Sequence, residues 1–317
     1  MDAPRIPSIS IDSEFEKISD AISSLGFLFL QSPPVPTVQR VDNMFEISRR
    51  FFKEESQEGK EKARGWVQVR QESLDAQGHP RGDIKEAFNM RPFTEMDEAK
   101  QPLPPTLKAE EKAIGEFMKS CHELCMKILE ALALTLKLPK DFFTSRHSYN
   151  RPQGSILRLL YYPETSLREL DANRQNEIRA GAHSDYGTIF LSIRQKDVGG
   201  LQILIPSGIW LDAPVTSSDT VLVNIGDLME FWTGGRFPST IHRVALPRTQ
   251  EDARERFSIA YFLHPDDDVL LERLTDDGED ANARLKARFG VDPNEPLTAK
   301  QWLEGRLAAT YAGRKDD

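Results

Sequence analysis

From Ser155 onward the chain is cut into apolar runs too short for ordinary helices. "SILRLLYY", "HSDYGTIFLSI", "GLQILI", "TVLVNI", "STIHRVAL" and "RFSIAYFL" follow one another, with Gly, Pro, Asn and Asp between them. Many short strands punctuated in this way predict a β-sandwich or barrel. The first half has another texture. "DSEFEKISDAISSLG" reads as a helix with Asp12 at its N-cap and Gly26 at its end. "FLFLQ" reads as a short buried strand, and "PTVQRVDNMFEISRRFFKEE" as a helix with Pro36 near its start. Residues 65–93 read as two short strands around a polar loop. A long amphipathic helix is expected from about Lys108 to Leu136, with Pro139 placed to stop it, and a last helix over "TAKQWLEGRLAATY". The expected organisation is one compact α+β unit. Residues 1–150 form a mostly helical region packed on a mainly β core, which occupies 151–317 and ends in the C-terminal helix.

Charge and composition exclude several functions. A net charge of −9 argues against a basic nucleic-acid-binding surface. No stretch approaches the apolar length that spans a bilayer, and "MDAPRIPSIS" lacks the basic-then-apolar pattern of a secretory signal. The expectation is a cytoplasmic monomer that engages neither nucleic acid nor membrane. The two cysteines, Cys121 and Cys125, lie in "CHELC". They fall on the apolar helical stripe with Ile114, Phe117, Met118, Leu124, Ile128 and Leu132, so they are read as core rather than metal ligands. The acidic run "HPDDDVLLERLTDDGED" lacks calcium-loop spacing and is read as a solvated loop.

Within the β region three ligand-type residues stand out. On one strand His183 and Asp185, at i and i+2, would share a face. His242 lies in a later strand-like run. Two histidines and one carboxylate form the facial triad of non-haem iron sites, which leaves coordination positions open for a co-substrate and O2. A further element raises the odds above chance. In "RFSIAYF", Arg256, Ser258, Ala260 and Phe262 share a face. An inward Arg on an apolar strand is costly unless an anion meets it, and a dicarboxylate would supply one. In "ILRLLYYP", Arg158, Leu160 and Tyr162 share one face, which parity alone assigns neither to solvent nor to a polar pocket.

In this order, H-x-D, a distant His and R-x-S resemble the isopenicillin N synthase-like branch of the Fe(II)/2-oxoglutarate-dependent dioxygenases. The matching stretches are "LRLLYYP", "HSDYG", "GGLQI", "VNIGDLMEFWTGG", "STIHRV", "RFSIAYF" and "RGDIKEAFNM", so the resemblance covers most of the chain. It implies a double-stranded β-helix (jelly roll) flanked by helices, and Fe(II) on His183, Asp185 and His242. It implies 2-oxoglutarate chelating that iron, with its distal carboxylate on Arg256 and Ser258 and a contact from Tyr162. Leu160 stands where many members carry Asn, which removes one polar contact to the co-substrate. "RAGAHSDYG" and "RLAATY" are also similar to fungal-type small-molecule hydroxylases such as thymine 7-hydroxylase.

The implied reaction consumes O2 and 2-oxoglutarate, releases succinate and CO2, and oxidises an unactivated C–H bond of a small organic molecule, in secondary metabolism. Arg158, Tyr186 and Phe262 are candidate substrate-pocket residues, and Phe88 and Asn89 candidates for covering the mouth. Two alternatives stay open. Isopenicillin N synthase and the plant ethylene-forming oxidase carry R-x-S without using 2-oxoglutarate, so an iron oxidase of the same fold is one. A non-catalytic jelly-roll binding module is the other.

Overall fold

The computed structural model describes residues 5–11, 17–75, 78–94, 101–167, 177–196, 199–215, 217–274, 278–292 and 294–311. Its strands are β1 (Ser8–Ser10), β2 (Phe27–Gln31), β3 (Trp66–Val67), β4 (Glu86–Met90), β5 (Ile156–Tyr162), β6 (Ala180–His183), β7 (Ile189–Arg194), β8 (Leu201–Leu204), β9 (Trp210–Asp212), β10 (Thr220–Ile225), β11 (His242–Val244) and β12 (Arg256–Leu263). Eight make a major sheet in the order β1-β2-β10-β7-β12-β5-β4-β3, antiparallel except for β1 with β2. Four make a minor sheet in the order β6-β11-β8-β9. The two sheets form the jelly-roll core. The N-terminal half supplies β1 to β4, so half of the major sheet comes from the region read as mostly helical.

The helices are α1 (Ile18–Leu25), α2 (Val38–Glu54), α3 (Gln57–Lys62), α4 (Pro105–Lys108), α5 (Glu111–Thr135), α6 (Asp227–Trp232), α7 (Gly278–Phe289) and α8 (Ala299–Tyr311). Helix α1 ends as the sequence predicts. Gly26 takes a left-handed φ of 66° and returns its N–H to Ile22 O. Its expected N-cap, Asp12, lies outside the described residues. Thr37 caps α2 by accepting from Arg40 N. Cys121 and Cys125 are fully buried in the apolar stripe of α5, with burial raising both thiol pKa values.

Both faces of the major sheet are covered, which is why its strands read as almost continuous apolar runs. Alternate residues go to opposite sides. Leu157, Leu159, Ile189, Leu191, Ile193, Ile259 and Tyr261 join one core with α1, α2 and α5. Each such fully buried aliphatic side chain stabilises the fold by about 1.5–3 kcal/mol. The other parity, which includes Arg158, Leu160, Tyr162, Phe190, Arg194, Arg256 and Ser258, lines a cavity together with residues of the minor sheet.

Two expectations are corrected here. "HSDYGTIFLSI" is not one strand: β6 ends at His183 and β7 begins at Ile189, in the other sheet. Asp185 lies in the turn between them rather than on the strand of His183, and Ile189 of β7 faces the helix-side core. The acidic run after Leu263 is not all solvated. Asp266 is 1% exposed, and its carboxylate accepts from Ser148 N and Arg151.

Candidate active site

His183 and His242 are directly opposite each other on the neighbouring strands β6 and β11. That register puts their rings 4.3 Å apart. His183 Nδ1 is 2.8 Å from Gly181 O, and His242 Nδ1 is 3.1 Å from Thr240 O. A carbonyl only accepts, so each Nδ1 carries the proton and each Nε2 keeps a free lone pair. Asp185 completes the group, with Oδ1 at 3.8 Å from His183 Nε2 and Oδ2 at 3.6 Å from His242 Nε2. All three ligand atoms lie within 4.8 Å of one another. Burial and then the neighbouring His242 push the His183 pKa down to about 3, so its imidazole is neutral near pH 7. Two imidazoles and a carboxylate that converge in this way fit a divalent transition metal, and backbone-anchored histidines are the usual support of such ligands.

Asp185 reaches this point because its turn is pinned. Asp227 N donates to Asp185 O at 2.7 Å, Leu228 N to Gly187 O at 3.1 Å and Gly226 N to Thr188 O at 3.1 Å. The start of α6 therefore clasps the turn. Two glycines allow the close approach: a Cβ on Gly226 would lie 2.2 Å from Gly187 O, and one on Gly187 would lie 2.5 Å from Leu263 O. Asn224, on the cavity side of β10, donates to Asp185 Oδ2 at 2.8 Å and sets the carboxylate's orientation. The backbone of Tyr186 is held by Trp302 Nε1 of α8, 2.8 Å from Tyr186 O. Arg306 of α8 bonds Asp227 and lies 5.1 Å over the Tyr186 ring.

The triad opens into a cavity of about 780 Å³ between the sheets. The two histidines line it from the minor sheet, whereas Arg256, Ser258 and Tyr162 line it from β12 and β5 of the major sheet. Arg256 is 2% exposed and lies 4.2 Å over the Tyr162 ring. Its Nη1 donates to Gly199 O, but its Nε is buried with no hydrogen-bond partner among the described residues. A buried cation with an unsatisfied donor facing a cavity fits an anionic group there. Leu160, between Arg158 and Tyr162 in the same face, packs among apolar neighbours of the minor sheet.

Of the substrate-pocket candidates, Arg158, Tyr186 and Phe262 line the cavity. Phe262 meets Phe190 edge to face at 4.6 Å. Phe88 does not line it. It pairs with Leu159 in register, is fully buried, and contacts Phe51 of α2 on the helix side. Asn89 has the cavity-side parity opposite Arg158, yet it is not among the lining residues. The lining continues instead through Arg91, Pro92 and Thr94, and through Lys300, Leu303 and Leu307 around α8. Sequence reading also missed a buried ionic group. Glu72 accepts from Arg158 at 2.6 Å and pairs with Lys85 at 3.0 Å, and all three line the cavity. Burial opposes ionisation of Glu72, but the charges of Arg158 and Lys85 outweigh it and hold the carboxyl well below the usual range. The only signal for these residues, and for Asn224 and Arg194, was a polar side chain among apolar or turn residues.

Comparison with known proteins extends the geometry to a family. Residues 153–265 match the 2OG-Fe(II) oxygenase superfamily, and residues 6–110 match the non-haem dioxygenase in morphine synthesis N-terminal family. The proline hydroxylase buaE of Petromyces alliaceus is 32% identical, over 92% of this chain and 91% of that one. The 2-oxoglutarate-dependent dioxygenase htyE of Aspergillus rugulosus is 30% identical, over 93% and 92%. The crystal structure of the full-length Neurospora crassa thymine 7-hydroxylase with alpha-KG superimposes with a TM-score of 0.79 at 28% identity, covering 96% of both chains. The chain belongs to the 2OG-Fe(II) oxygenase superfamily and is a 2-oxoglutarate-dependent dioxygenase, an oxidoreductase that uses Fe(II), 2-oxoglutarate and O2.

Proposed function

We propose that His183, Asp185 and His242 hold the Fe(II), that Arg256, Ser258 and Tyr162 receive the distal carboxylate of 2-oxoglutarate, and that the rest of the cavity takes a small organic substrate whose C–H bond is oxidised. The observation that carries this reading is the presence, in one cavity, of the three converging ligand atoms and the buried, partly unsatisfied Arg256. Bound iron would supply the redox chemistry that couples O2 reduction to decarboxylation of 2-oxoglutarate, giving succinate, CO2 and one oxygen atom for the substrate. The protein's own groups position and shield. Gly181 O and Thr240 O fix the two imidazoles, Asn224 fixes the carboxylate, and the Arg256 guanidinium on the major sheet orients the co-substrate. Phe27, Leu74, Phe190 and Phe262 supply apolar surface that excludes water from the reacting region.

For the substrate, the cavity offers aromatic walls beside the Glu72–Arg158–Lys85 group. This combination suits a largely apolar molecule with one polar end, oxidised at carbon in fungal-type secondary metabolism. No helix among the described residues is long and apolar enough to cross a membrane. The test is succinate formation from 2-oxoglutarate with Fe(II) and O2, first alone and then with a panel of small molecules. The reading predicts slow substrate-independent turnover that one class of compounds accelerates. Turnover of a substrate without 2-oxoglutarate, with no succinate under any condition, would contradict it.

A further inference from the structure

Next to Arg256, the cavity face of the major sheet carries another arginine. Arg194 closes β7 and pairs in register with Ser258 of β12, which puts it diagonally beside Arg256 on the cavity face. Diagonal neighbours of this kind have Cα atoms about 7–8 Å apart, within reach of two guanidiniums. Arg194 is 6% exposed. Its Nη1 donates to Ala213 O at 2.8 Å, but its Nε and Nη2 are buried with no hydrogen-bond partner among the described residues. Among the described residues neither Arg194 nor Arg256 forms an ion pair at salt-bridge distance; the Arg256 charge acts on Arg179, and the Asp252 carboxylate acts on both Arg179 and Arg256 from farther away.

We propose that Arg194 is a second guanidinium for the distal carboxylate of 2-oxoglutarate, so that this chain grips the co-substrate between Arg194 and Arg256 rather than on an R-x-S pair alone. The proposal rests on the co-substrate site described above. Its physical basis is the unmet donors. Burying one cation is costly, and burying two side by side costs more, unless an anion sits between them. A carboxylate has lone pairs for donors from both forks, and charge-assisted bonds of this type are the strong ones. The mutual repulsion is visible in Arg194, whose pKa burial and then the Arg256 charge push down to about 9. A purely structural role is the competing account: the Nη1 bond to Ala213 O ties β7 to the segment after β9. That role predicts a stability effect without ligand discrimination.

The test measures binding to metal-free protein and to protein loaded with redox-inert Zn(II), by calorimetry and thermal shift. Glutarate carries the carboxylate and no metal-chelating 2-oxo acid; 2-oxobutyrate carries the 2-oxo acid and no distal carboxylate. Arg194→Gln should weaken glutarate and 2-oxoglutarate binding by about tenfold or more while 2-oxobutyrate changes by less than about threefold. Arg194→Lys, which keeps a charge and a donor for Ala213 O, should fall between wild type and Arg194→Gln, and it gives the same ratio if the Gln variant does not fold. Arg256→Gln is the comparator. If Arg194→Gln and Arg194→Lys lower Tm but leave the 2-oxoglutarate to 2-oxobutyrate ratio as in wild type while Arg256→Gln collapses it, Arg194 is structural and the inference is overturned. If Arg256→Gln leaves the ratio unchanged as well, the assignment of the co-substrate site itself is wrong.

Discussion

The two faces of the major sheet are made by the same strands and differ in almost every other respect. On the helix side, Leu157, Leu159, Leu191 and Ile259 pack against α1, α2 and α5 in a largely apolar layer that also buries the Tyr261 hydroxyl. On the cavity side, the intervening residues include Arg158, Arg194, Asn224, Arg256 and Ser258. A one-residue change of parity separates a face that stabilises the fold from one that binds. The difference teaches where the stability resides. The largely apolar helix-side face supports a cavity face whose buried guanidinium donors, on Arg194 and Arg256, are left partly unmet among the described residues.

Substitutions can break that division of labour. The largest effect is expected at the triad: His183→Ala should reduce succinate formation at least about a hundredfold, since even outer-shell changes cost 10–100-fold. Its Tm should stay close to wild type, as circular dichroism would show. On the other face, Phe88→Ala should cost about 3–5 kcal/mol in urea unfolding. It should leave the KM for 2-oxoglutarate and substrate as in wild type, because Phe88 packs on Phe51 and not at the mouth. A changed KM with intact stability would reverse that assignment.

Glu72→Gln probes the cavity side's own stability. Removing the carboxylate that Lys85 and Arg158 share should cost about 3 kcal/mol at pH 7, at the low end for a broken buried pair because Lys85 keeps Asp83. The Glu72 pKa is depressed in the folded state, so its contribution is full above the ordinary carboxyl value and lost as pH falls through it towards the folded value. Urea midpoints of wild type and variant should therefore converge from about pH 4.3 downward. A gap that stays constant down to acid pH would reject this ion group as its source. The smallest effect is expected at Asn224→Ala. Loss of its bond to Asp185 should weaken metal binding by about 10–100-fold, read by competition with a chelating dye.

Much of this arrangement was legible because a period of two is a local property. Parity in "RFSIAYF" and "ILRLLYYP" put Arg256, Ser258, Phe262, Arg158 and Tyr162 on shared faces, and those residues do line one cavity. Which face is inward is not local. Phe88 and Asn89 could not be sorted until β4 paired with β5, setting Phe88 against Leu159 and Asn89 against Arg158. Asp185 was grouped with His183 by strand parity, but it arrives through a turn that α6 clasps, a contact made by residues some forty positions later. Glu72 and Asn224 depend on partners 86 and 39 positions away, and Lys85 and Arg194 on burial set by the packing of the sheets. Their polar character was visible in the sequence, whereas their burial was not.

The central claim is that one cavity carries an iron site at His183, Asp185 and His242, on the minor sheet and its following turn, and a carboxylate site at Arg256 on the major sheet. It is tested most directly by anaerobic titration of metal-free protein with Fe(II) and then 2-oxoglutarate, followed by visible absorption. The account predicts equimolar iron binding and a charge-transfer band that develops as 2-oxoglutarate is added. It predicts no band in His242→Ala, and a band that needs far more 2-oxoglutarate in Arg256→Gln. A His242→Ala protein that binds iron and develops the band as wild type does would contradict it.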